Sequence, residues 1–110
     1  MAMGPSISRR QAEGVLPALR EAHKLLPDEH RITTALGIAC ALAGQISNAI
    51  PVLELAARQE TNDAQCWLDL GSAYALENNV VKARLAWERA LRLEPTNRLA
   101  LEHLRVLNGK

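Results

Sequence analysis

Apolar residues recur along this chain at helical spacing. Trp67, Leu70, Gly71 and Tyr74 sit at i, i+3, i+4 and i+7, one face of a helix. After the polar break Glu77-Asn78-Asn79, Ala83, Trp87 and Ala90 mark a second face at i, i+4 and i+7. Pro95 closes that segment, because a helix usually ends before the residue preceding a proline. Nearer the start, Val15, Leu16, Leu19, Ala22, His23 and Leu26 form another helical stripe, which predicts a helix running to about Leu26. Ser8 can cap it, with Gln11 at the third helical position completing a capping box. Pro17 opposes this, since an interior proline removes a backbone hydrogen bond and clashes with the preceding turn. The packed part is therefore expected to begin near Glu13. Ala43-Gly44-Gln45 reads as a turn between two further helices, and Asn97 to Asn108 as a last helix with Leu101, Leu104 and Leu107 inward. Met1 to Ile7, broken by Gly4-Pro5-Ser6, reads as a disordered start.

A period underlies these stripes. Ala22, Ala56 and Ala90 are each 34 residues apart, and so are Leu19, Leu53 and Trp87. Leu36 and Gly37 precede Leu70 and Gly71 by 34, Ala49 precedes Ala83, and Pro17 precedes Pro51. A proline at the same place twice suggests the first turn of a helix, where it is tolerated. Gly71 in mid-helix costs about 1 kcal/mol relative to alanine. It makes sense where another helix must come close, and Ala83 and Ala90 are the small residues that would allow that approach. Trp67, Tyr74 and Trp87 would supply bulk around the contact, on the order of 150–250 Å² each.

Trp67-x2-Leu70-Gly71-x2-Tyr74, then Ala83-x3-Trp87, then Pro95 resembles the tetratricopeptide repeat, a helix–turn–helix unit of 34 residues. Trp87 replaces the more usual phenylalanine. In the segment before, Thr33, Cys40 and Thr61 stand where Trp67, Tyr74 and Pro95 stand, which loosens that core without moving the frame. The resemblance implies an all-α fold: a right-handed superhelix of stacked hairpins forming one domain over residues 1–110. Residues 8–29 would be a partial repeat lacking its first helix, 30–63 and 64–97 full repeats, and 98–110 a capping helix. Arg105 takes the place of Gly71 in that last helix, so no further helix could pack closely there. Stacked repeats need such a polar cap.

By the same resemblance, the concave side is lined by the first helix of each repeat and binds other chains, as in adaptors and co-chaperones. The outward positions there are Arg31, Thr34, Ile38, Ala41 and Leu42, then Gln65, Leu68, Ser72, Ala75 and Leu76, and on the cap Leu99, Glu102 and Val106. Leu68 follows Trp67 by about 100° of helix and so leaves the hairpin stripe. Some relatives clamp a terminal carboxylate with Lys and Asn. Here Thr34, Ile38, Leu68 and Ser72 hold the candidate places, so a partner with an apolar strip, helix or extended peptide, fits better. The alternatives are a self-assembling homodimer through the open first repeat, or a docking arm of a larger enzyme.

Composition changes this picture little. The chain has 110 residues and a formal net charge of +1, which argues against nucleic acid or a membrane surface as partner. Val80 to Lys110 holds seven Lys or Arg against three Glu, which reads as solvated surface, with an acidic partner as the alternative. Cys40 and Cys66 form no paired motif and suit a small buried role, consistent with a reducing compartment such as the cytoplasm. No apolar run is long enough for a membrane span. His23, His30 and His103 have no metal-ligand spacing and read as surface or capping residues. No phosphate loop and no nucleophile with a base stands out, so neither cofactor nor catalytic residue is expected.

Overall fold

The computed structural model describes residues 8–109, and the expected disordered start lies outside them. Six helices follow one another: α1 (Arg9–Leu25), α2 (His30–Leu42), α3 (Ile46–Gln59), α4 (Ala64–Leu76), α5 (Val80–Leu93) and α6 (Arg98–Asn108). There is no strand among the described residues. Each helix packs on its successor, and α2 also touches α4. This is an all-α helical repeat.

Local chemistry sets the boundaries. The Ser8 hydroxyl accepts from the Gln11 N–H while the Gln11 side chain accepts from the Ser8 N–H, so the capping box forms. Asp63 accepts from the N–H groups of Gln65 and Cys66, Asn79 from Lys82 and Asn97 from Ala100, satisfying free donors at three further helix starts. The two hairpin turns obey the same frame. Gly44 and Asn78, 34 residues apart, both take left-handed backbone, at φ 84° and 62°. The next N–H then reaches back to Cys40 O at 2.8 Å in one turn and to Tyr74 O at 2.9 Å in the other.

Inside each hairpin the glycine marks the closest approach. A Cβ built on Gly37 would come within 2.6 Å of Leu53 Cδ2, and one on Gly71 would strike the Trp87 indole. Ala49, Ala56, Ala83 and Ala90 are fully buried on the facing helices. The indole N–H of Trp87 donates to Leu68 O at 3.3 Å, and its ring stacks on His103 of α6 at 4.7 Å.

The structure corrects three expectations. Both prolines sit inside helices: α1 is continuous from Arg9 through Pro17, and Pro51 lies in the second turn of α3 rather than its first. Both prolines are exposed, as are Glu13 and Ser47 four residues before them, so each missing N–H falls on the solvent side of its helix. On α6 the inward set is Ala100, His103, Leu104 and Leu107. Leu104 and Leu107 face inward as expected, but Leu101 is 49% exposed, because stacking of His103 on Trp87 turns the inward face partway round, toward Ala100 and His103. The three histidines, expected as surface or capping residues, are half-buried at joints between helices. His30 Nε2 meets Asp63 Oδ2 at 2.9 Å, tying the start of α2 to that of α4, and His23 lies beside Thr33.

Candidate functional site: an apolar trough between α2 and α4

The contact between α2 and α4 leaves a shallow trough of about 160 Å³. Ile38, Ala41 and Leu42 form one wall, Ser72, Ala73 and Leu76 the other, with Leu53 of α3 and Asp69 at the base. The 34-residue frame explains the pairing: Ile38 and Ser72 are equivalent positions, as are Leu42 and Leu76. Ile38, Ala41 and Leu42 lie at i, i+3 and i+4 on α2, and Asp69, Ser72, Ala73 and Leu76 at i, i+3, i+4 and i+7 on α4, so each wall is one flank of its helix.

The residues expected to line a groove separate into groups. Ile38 and Ser72 are half-buried in the trough, and Leu42 and Leu76 project from its rim, 43% and 65% exposed. Ala41 and Ala75 are half-buried and packed on the core. Thr34 is half-buried with its hydroxyl turned inward. Leu68 is the correction: it is 3% exposed and belongs to the core. Each first helix packs against its own hairpin partner and against the neighbouring repeat, so a residue off the first stripe meets the second interface. Arg31 lies away from the trough, beside Leu19, Leu26 and Ile32 at the α1 end. Gln65 is exposed at the start of α4, where its amide donates to Asp69 Oδ1 at 3.1 Å. Leu99 and Val106 are exposed on α6 outside the described trough lining, and Glu102 pairs with Arg105 at 2.6 Å.

Asp69 is the residue sequence reasoning missed. Its Oδ2 is buried without a partner. Burial raises its carboxyl above the ordinary 3.8, the Gln65 amide lowers it, and nearby Asp63 raises it. The signal was available: Gln65, Asp69, Ser72 and Leu76 share one flank of α4, and a carboxylate among such neighbours is a polar fixture in an apolar wall. Cys66 lies beneath, its thiol pushed up to about 12 mainly by burial and then by Asp63 and Asp69, so it stays protonated and inert at neutral pH. Tyr74 donates to Glu54, and burial is the first cause raising its hydroxyl. Among the described residues, no group of three or more His, Cys, Asp or Glu could hold a metal ion. No described helix is long and apolar enough to cross a membrane.

Residues 64–97 match the tetratricopeptide repeat family profile. The chain carries a tetratricopeptide repeat. Solved structures share most of this arrangement. YrrB, described as a TPR protein with an unusual peptide-binding site, superposes with a TM-score of 0.83 at 24% identity, over 87% of this chain and 50% of its own. The first TPR of Spaghetti (RPAP3), bound to the HSP90 peptide SRMEEVD, gives 0.85 at 19% identity, over 92% of this chain and 80% of its own. SycD, a type III secretion translocator chaperone of Yersinia enterocolitica, gives 0.76 at 14% identity, over 90% and 68%. At such identities the likeness is one of fold. Among curated proteins, Protein O-mannosyl-transferase TMTC1 of Mus musculus is 27% identical over 106 residues. That match spans 92% of this chain and 11% of the relative.

Proposed function

We propose that this chain is a non-enzymatic interaction module that holds the apolar strip of a partner helix or extended peptide in the α2–α4 trough. We divide it into a partial repeat (8–29), two full repeats (30–63 and 64–97) and a capping helix (98–110), and place it in the reducing cytoplasm, which suits two buried free thiols. The observation that carries the binding reading is the trough itself. Leu42 and Leu76 stand exposed, at 43% and 65%, at equivalent places on neighbouring repeats, with Ile38 beside them and no cation in the lining. Two leucines so placed match an i, i+3, i+4 strip on a guest helix. A carboxylate-ended guest finds no lysine or asparagine in that lining. The HSP90 peptide bound by the first TPR of Spaghetti (RPAP3), a neighbour of the same fold, supports the general mode.

The test is selection of helical peptides from a displayed library against the purified chain. Winners should share an apolar strip at helical spacing and lose binding to Leu76→Asp. Winners rich in acidic residues, or binding that survives Leu76→Asp, would move the site elsewhere. The likeness to TMTC1 favours one second reading, in which this stack is a docking arm within a much longer enzyme and binds through the same trough.

A further inference from the structure

Three helices hold the same place in the 34-residue frame: α1, α3 and α5. On α3 the flank at Ala49, Leu53 and Ala56 lies under α2, and each residue is at most 1% exposed. On α5 the same flank, Ala83, Trp87 and Ala90, lies under α4 and is no more than 5% exposed. On α1 the flank is Val15, Leu19 and Ala22. There Val15 is 47% exposed, and Leu19 and Ala22 are half-buried. The charged side chains of α1, Arg9, Arg10, Glu13, Arg20, Glu21 and Lys24, all fall on the opposite side of the helix. With Ala35, Ile38 and Leu42 of α2, the open flank forms a groove of about 290 Å³ lined by apolar side chains alone.

The molecule shows what covers this groove elsewhere. Shifted by 34, Leu19, Ala35, Ile38 and Leu42 become Leu53, Asp69, Ser72 and Leu76. There α2 lies over Leu53 and faces Asp69, Ser72 and Leu76 across the trough, through Ile38, Ala41 and Leu42. Gly37 of α2 rides directly over Leu53. We propose that the α1–α2 groove accepts, from another polypeptide, an apolar helix with the chemistry of α2. Its mark is a leucine followed by glycine or alanine, the small residue riding over Leu19, with apolar residues on the next turn. The guest takes, over α1, the place that α2 holds over α3, at a surface separate from the α2–α4 trough apart from the shared ridge of Ile38 and Leu42. A second copy of this chain stacked head to tail is a poor guest. Its α6 carries Arg105 at the place of Gly37, a long charged side chain where a Cβ alone already requires the leucine below to turn aside.

The probe is a fluorescein-labelled peptide with the sequence of residues 29–44, titrated with the full chain and followed by anisotropy. Saturable binding is expected. It should weaken at least about tenfold with Val15→Asp in the chain, which sets an unpaired carboxylate against the guest's apolar face. It should weaken by a similar factor with Gly37→Leu in the peptide alone, an arm that leaves the protein untouched. Leu76→Asp in the chain should change it less than about twofold, a difference well under 1 kcal/mol. No saturable binding, or equal binding by the Gly37→Leu peptide, overturns the proposal. So does loss on Leu76→Asp, which would put the peptide in the trough instead. Sedimentation equilibrium giving twice the 12.0 kDa monomer, reversed by Val15→Asp, would assign the groove to a second copy and also overturn it.

Discussion

The hairpin α2–α3 and the hairpin α4–α5 share a frame but not a filling. Under Gly71 lies the Trp87 indole, and under Gly37 lies Leu53. Where α4 has Trp67, half-buried with its N–H on Thr61 O at 2.9 Å and Arg89 over its face, α2 has Thr33, fully buried with its hydroxyl on Glu29 O. Tyr74 is answered by Cys40, also fully buried. The backbones nevertheless turn alike, with Gly44 and Asn78 both left-handed. The difference teaches that small residues at crossings and turns fix the frame, while large residues fill what remains. A glycine sets how near two axes come, and whichever side chain lies beneath takes the space.

The largest expected effect sharpens the division between core and trough on α4. Leu68→Asp should cost about 4 kcal/mol or more, because it removes a buried leucine and buries a carboxylate. Leu76→Asp, two turns along, should stay within about 0.5 kcal/mol as a surface change. Urea midpoints of the two variants check both, and similar midpoints would break the distinction.

Next come the glycines. Gly71→Leu should cost about 1–3 kcal/mol by overpacking. Gly71→Ala should cost more than Gly37→Ala, because the Trp87 ring is held by Leu68 O and His103 while the Leu53 side chain can rotate away. Equal melting temperatures for the two alanine variants would show that the filling beneath does not matter.

The smallest effect concerns Asp69. Its carboxyl is raised in the folded state, so the folded chain binds its proton more tightly than the unfolded chain does. Its contribution is thus most favourable below the ordinary 3.8 and is lost as pH rises through the higher folded value. Asp69→Asn should therefore stabilise the chain at pH 7, by about 1 kcal/mol, and give little or nothing near pH 3. A gain that does not change with pH would remove the titration argument.

The helices, their caps and the 34-residue frame were legible because they are written in small residues, turn residues and capping side chains, whose requirements are local. The interior prolines were not, since nothing in Pro17 or Pro51 says that the lost hydrogen bond faces water. Nor was the burial of Leu68. Helices α2 and α4 pack on two sides and are apolar nearly all round, so one periodic stripe does not tell groove from second interface. The burial of Asp69 was not legible either, because it arises only where α2 packs across from its flank of α4. The turn of α6 that exposes Leu101 depends on one long-range contact, His103 on Trp87, which no periodicity encodes.

The most direct test of the trough is a map of backbone amide shifts on the full chain as a library-selected helical peptide is added. Changes gathered on α2 and α4 around Ile38, Leu42, Ser72 and Leu76 are the result expected. Changes gathered instead on the outer face of α5 around Val81 and Leu85, or on α6, with α2 and α4 silent, would contradict it.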